Sequence, residues 1–107
     1  MLDLHDNLFR SLSDPTRRAI FERLCLGGEQ NVLALTDFAG ISQPAVSKHL
    51  AILKQAGLVS GRQDGRQTRY AANVEALAPL VDWTRTMSQF WDAKLDEFEG
   101  LLRRMDQ

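Results

Sequence analysis

The chain is poor in metal-binding and redox side chains: one cysteine and two histidines among 107 residues. A single thiol excludes an internal disulfide and fits a reducing compartment. Transition-metal sites want thiolates or imidazoles. Cys25, His5 and His49 sit on three separate predicted elements, so no metal site and no cofactor are expected. No apolar run is long enough to span a bilayer. The first residues, MLDLHDN, carry acids where a secretory signal carries Lys or Arg. These absences predict a cytoplasmic protein with no membrane partner. A Gly-rich phosphate loop and a nucleophile–base pairing are also missing, so no enzyme is expected. What remains is 44% hydrophobic, enough for the core of a single domain over residues 1–107.

Net charge is −1, which alone argues against nucleic acid, but the charge is unevenly spread. Residues 1–42 carry −2 and residues 73–107 carry −3. Residues 43–72 carry +4, from Lys48, Lys54, Arg62, Arg66 and Arg69 against Asp64. A local basic patch is the footprint that matters for phosphate contact.

The basic segment opens with SQPAVSKHLAILKQAG, residues 42–57, a helix signed at both ends. Ser42 is a good N-cap, and Pro44 falls in the first turn, where its missing N–H costs nothing. Ile41 and Val46 are spaced for a hydrophobic staple. Gly57 closes the helix. Val46, Leu50 and Leu53 share an inward face at helical spacing. Gln43, Ser47, Lys48 and Ala51 lie opposite. They are short, polar and mildly charged, as suits a face that approaches something closely. Upstream, VLALTDFA at residues 32–39 is a short helix stopped by Gly40. Two helices around a tight Gly-containing turn make a helix-turn-helix, whose second helix puts its first residues against base edges. An ordinary helical hairpin shares these features.

A first amphipathic helix is expected over residues 3–12, with Leu4, Leu8 and Leu12 on one face. Asp14 and Pro15 start a second, which runs to Leu26 with Ile20, Phe21 and Leu24 inward. Arg17, Arg18 and Arg23 are read as solvated, with a phosphate contact by one of them as the alternative. Cys25 is read as an inert core residue, with a redox thiol as the alternative. Residues 29–31 are read as a connection. After the helix-turn-helix (32–57) the period changes. LVSGR and QTRYA flank the turn signal QDGR, predicting a two-stranded wing over residues 58–72. A lone hairpin is marginal, so it must lean on the helices through Leu58, Val59 and Tyr70. Arg62, Arg66 and Arg69 lie along it, with Arg66 at the tip. Wing arginines bind phosphates or enter a minor groove.

Asn73 is placed to cap a last helix over residues 74–106, and Pro79 predicts a broken first turn or a slight kink. Val81, Met87, Phe90, Trp91, Leu95, Phe98, Leu101, Leu102 and Met105 form a wide apolar stripe on it. Such a helix is too long for so small a domain to cover. A homodimer interface is therefore expected from Trp83, Met87, Phe90, Trp91, Leu95 and Phe98, helped by Leu4 and Leu8 of the first helix.

LSDPTRRAIFERL at 12–24, ISQPAVSKHLAILKQAGLV at 41–59 and GRQTRYAAN at 65–73 resemble the ArsR/SmtB family of winged helix-turn-helix repressors. The three stretches are in the family's order and cover most of the chain. The resemblance implies a mostly α fold with a β-hairpin wing between the fourth and fifth helices, dimerised through its terminal helices. It implies a homodimeric repressor of double-stranded DNA. Ser42, Gln43, Pro44, Ser47 and Lys48 would be base-proximal, with Arg62, Arg66 and Arg69 on the backbone. Metal-sensing members place a cysteine pair before the recognition helix, or His and carboxylates on the last helix. NVLALTDFAG has no cysteine and the last helix has no His, so the chain is more similar to the non-metal branch. If an effector exists, the expectation is a small organic molecule, or a partner protein, at the long-helix interface; the alternative is that these side chains form only the dimer core and no effector acts. The alternatives are a redox-responsive repressor through Cys25, or a protein–protein module using the long helix.

Overall fold

The computed structural model describes residues 4–106. Asp3, where the first helix was expected to begin, lies outside them, and so does the side chain of Leu4. The chain divides into two compact units, through Leu77 and from Ala78 onward.

The first unit holds four helices: α1 (Leu4–Ser13), α2 (Pro15–Gly27), α3 (Val32–Ala39) and α4 (Gln43–Gln55). It also holds three strands: β1 (Gln30–Asn31), β2 (Val59–Asp64) and β3 (Gln67–Ala72). Local signals set most boundaries. Asp14 caps α2, its side chain accepting from the Arg17 N–H, with Pro15 in the first turn. This hydrogen bond holds the Asp14 carboxyl below its ordinary range. Asn31 caps α3 through the Ala34 N–H. Gly40 ends α3 at φ +67, in the left-handed region that L side chains avoid. After α4, Leu58 N–H bonds to Leu53 C=O and Gly57 N–H to Lys54 C=O, a Schellman closure with Gly57 at φ +79.

The sheet order is β1-β3-β2, antiparallel throughout. The wing is therefore not a lone hairpin. The stretch read as a connection supplies β1, which pairs Gln30 with Tyr70 and Asn31 with Arg69. Two residues have no periodicity to read, so only their partner strand reveals them. The hairpin leans on the helices through Leu58 and Val59, both buried, and half-buried Tyr70.

The core gathers Leu8, Ile20, Phe21, Leu24, Leu35, Val46, Leu50, Leu53, Leu58 and Val59. Leu8 is 0% exposed within its own chain, so it packs this core and offers no surface to a second chain. Cys25 lies on the outer side of α2 and is exposed, correcting its reading as a core residue. Arg17 is not simply solvated either. Its guanidinium donates to the Ser11 and Arg10 carbonyls at the end of α1 and lies 3.4 Å from His49 Nδ1. Arg18 donates to Leu12 C=O, and Arg23 stacks over the Phe38 ring.

Asn73 does not cap the last helix with its side chain. Its Nδ2 donates to Gly57 C=O, while its main-chain carbonyl accepts from Ala76 N–H. A short 3₁₀ turn, Val74–Leu77, follows. This is the broken first turn expected near Pro79.

The second unit is one helix, α5 (Ala78–Met105), of 28 residues. At about 1.5 Å per residue it is roughly 42 Å long. None of its residues is buried. Trp91 is 62% and Phe98 57% exposed, and Phe90 and Leu95 are exposed beside them.

Candidate nucleic-acid interface

The interface is built on the first turn of α4. Ser42 Oγ accepts from Ala45 N–H at 3.3 Å, fixing where the helix begins. Ser42, Gln43, Pro44, Ser47 and Lys48 are all exposed, as the spacing predicts. The opposite face drives Val46, Leu50 and Leu53 into the core. Burial therefore fixes the helix's rotation and presents the short polar side outward. Ala45 and Ala51 complete a shallow, low-relief surface with Ser42, Pro44, Ser47 and Lys48. Lys48 has no carboxylate partner among the described residues.

The wing arginines differ from one another. Arg62 forms a two-point ion pair with Glu29. The pair holds the Glu29 carboxyl below its ordinary range and the Arg62 guanidinium above. Arg69 Nε donates to Asp64 Oδ2 at 2.8 Å across the hairpin, which lowers the Asp64 carboxyl. Arg66, beside Gly65 at the tip, has no such partner among the described residues. Arg66 is thus the wing's uncompensated cation, and Arg62 and Arg69 are partly committed to bracing it.

Sequence reasoning passed over Glu29, Asn31 and Gln67. Asn31 does two jobs: its Oδ1 caps α3, and its Nδ2 donates to Gln67 Oε1 at 3.0 Å. That bond ties the start of the helix-turn-helix to the base of the wing. An Asn directly before an apolar helix is a cap signal, so half of this role was legible.

A helix-turn-helix domain profile matches residues 12–62. The chain is 39% identical over 94 residues to the probable mercury resistance operon repressor of Streptomyces lividans, covering 88% of this chain and 74% of that one. It is 37% identical over 78 residues to the transcriptional repressor SdpR of Bacillus subtilis, covering 73% and 86%. Among solved structures, an ArsR-like transcriptional regulator from Rhodococcus sp. RHA1 matches with a TM-score of 0.74 at 29% identity, covering 90% of each chain. The chain belongs to the ArsR/SmtB family. Like other ArsR/SmtB proteins it is a DNA-binding transcriptional regulator and not an enzyme. The winged helix-turn-helix of this family member is the fold expected from its sequence.

Proposed function

We propose that the protein is a cytoplasmic repressor that binds a palindromic operator as a homodimer. The observation that carries the reading is the pairing of a low-relief, acid-free α4 face with an unpaired arginine at the neighbouring wing tip. In this reading Ser42, Gln43, Pro44, Ser47 and Lys48 meet base edges in the major groove. Arg66 reaches phosphate. Arg62 and Arg69 add to the positive field, and contact the backbone only by exchanging their carboxylate partners. Dimerisation uses the apolar side of α5, where Trp83, Phe90, Trp91, Leu95 and Phe98 are exposed and Met87 is half-buried. So much exposed apolar surface on one helix marks an interaction site.

Regulation, in the same reading, comes from an organic effector or partner protein at the α5 interface. Trp83, Met87, Phe90 and Trp91 can line an apolar pocket there and repack around a ligand. The Streptomyces relative is named for mercury resistance. Here the only thiol is Cys25, which desolvation and the Glu22 carboxylate push up, away from the reactive thiolate. Selection of DNA from a random pool by the purified chain, with light scattering alongside, tests the proposal. A two-fold site with half-sites about 10–10.5 bp apart, or a multiple, is expected. An asymmetric site, or a monomer at micromolar concentration, would sink it.

A further inference from the structure

Asp14 caps α2 and so fixes the first turn, in which Arg17 stands. From there the Arg17 guanidinium reaches two helices at once. Its Nε donates to Ser11 C=O and its Nη2 to Arg10 C=O. Both carbonyls belong to the last turn of α1, where a helix offers them no partner of its own. The helix dipole also favours a cation at that end. The third group, Nη1, lies 3.4 Å from Nδ1 of His49 on α4. Guanidinium N–H groups only donate, so Nδ1 is the acceptor and the ring carries its proton on Nε2. None of the ion pairs among the described residues includes Arg17. His49 is half-buried, between exposed Lys48 and buried Leu50, on the margin between the two faces of α4.

We propose that Arg17 is a positioning residue for operator recognition: by donating to His49 it sets the DNA-reading helix α4 in register against the end of α1. The proposal rests on the operator-binding reading above. Burial of Val46, Leu50 and Leu53 fixes the rotation of α4. Apolar burial has no direction, however, and leaves sliding and tilt of the helix weakly determined. A hydrogen bond has a direction, and a planar guanidinium holds its donors in a fixed fork. With two donors anchored on α1, the third is offered to His49 from one place only. Base-edge contacts need placement to about 0.5 Å. Phosphate contacts carry no sequence information and do not depend on that register. Loss of the link therefore costs discrimination between operator and other DNA before it costs general affinity.

The test uses the full chain, its selected operator and a random-sequence duplex of equal length. His49→Leu removes the acceptor and leaves Arg17 on α1. It is expected to weaken operator binding about tenfold, the scale of one hydrogen bond to a charged group, with binding to the random duplex unchanged. His49→Asn puts an amide oxygen near the place of Nδ1 and should restore most of the loss. Arg17→Gln should match His49→Leu, and the double variant should lose no more than either, because each change removes the same link. The salt slope of Arg17→Gln should equal that of wild type. If circular dichroism shows Arg17→Gln unfolded, the comparison of His49→Leu with His49→Asn decides alone. Unchanged operator affinity in His49→Leu overturns the proposal, and so does a His49→Asn variant no better than His49→Leu. Additive losses in the double variant overturn it too. An equal loss on both duplexes, with a salt slope reduced by about one, makes Arg17 a phosphate contact instead. A lower melting temperature with the operator-to-random ratio intact reduces the link to a brace and likewise overturns the proposal. In each of these cases the operator reading stands. A wild-type chain that selects no DNA overturns both.

Discussion

At the residue scale, three exposed or buried side chains have separable roles. Gln43 stands on the first turn of α4 and Arg66 at the tip of the wing. A glutamine amide can pair with an adenine edge, so Gln43→Ala should relax preference at particular base pairs by about 1–3 kcal/mol. An arginine on phosphate reads no sequence. Arg66→Ala should therefore weaken binding evenly across operator variants and reduce the salt slope by about one. Salt titrations over a set of operator variants separate the two, and identical behaviour would refute the roles. Leu8 tests packing instead. It is fully buried in the first unit, so Leu8→Ala should cost about 2–5 kcal/mol of stability by leaving a cavity. Denaturant unfolding measures the loss. If the main effect were dissociation of a dimer with little loss of fold, Leu8 would belong to an interface after all.

At the scale of elements, the wing is held by ion pairs and by its third strand. Glu29 and Asp64 have carboxyls lowered by Arg62 and Arg69. The unfolded chain takes up their protons at higher pH than the folded one does. The stabilisation is therefore present above the ordinary carboxylate range and fades as pH falls through the lowered folded values. The melting temperature should drop as pH falls from about 5 to about 3, the span of ordinary carboxylate titration. The Glu29→Gln, Asp64→Asn double variant should show a shallower drop. Both pairs are exposed, so the difference should be modest and shrink in high salt. An identical pH profile for the double variant would show that the pairs contribute nothing. Asn31 acts on two elements at once, capping α3 and holding Gln67. Asn31→Ala should cost about 1 kcal/mol for the cap and should also raise amide exchange in β3. Unchanged exchange there would limit Asn31 to its capping role.

At the scale of the whole molecule, the decisive feature is a 28-residue helix with no buried residue. A charge placed on its apolar side would be desolvated in any interface formed there. Trp91→Asp and Phe98→Asp should each give a monomer by light scattering and lose tight operator binding. Circular dichroism should still report a folded first unit, because its core draws on none of these residues. A dimer that survived both changes would move the interface elsewhere. The same helix offers no histidine or cysteine. Zinc, nickel, cobalt, copper, arsenite and mercury should therefore fail to release operator DNA at micromolar levels beside a chelator control. Release that disappears in Cys25→Ser or His5→Ala would overturn the effector reading.

The sequence by itself determined the helices of the first unit and most of their ends. Asp14-Pro15, Ser42 with Pro44, Gly40 and Gly57 act within one turn of where they stand, so capping and backbone geometry are readable locally. The α4 face was legible for the same reason: 3.6-residue periodicity separates Val46, Leu50 and Leu53 from Gln43, Ser47 and Lys48. The basic segment was legible from counting charges. Tertiary structure alone decided what depends on residues far apart in the chain. It made β1 a strand, because only β3 could pair with it. It placed Leu8 inside and Cys25 outside, although both lie on helices with apolar neighbours. It joined Arg62 to Glu29 across 33 residues and Asn31 to Gln67 across 36, separating the braced wing arginines from Arg66, which has no carboxylate partner among the described residues. Such contacts leave no trace in spacing or composition, because they are selected by the packing of whole elements and not by the neighbours of any one residue.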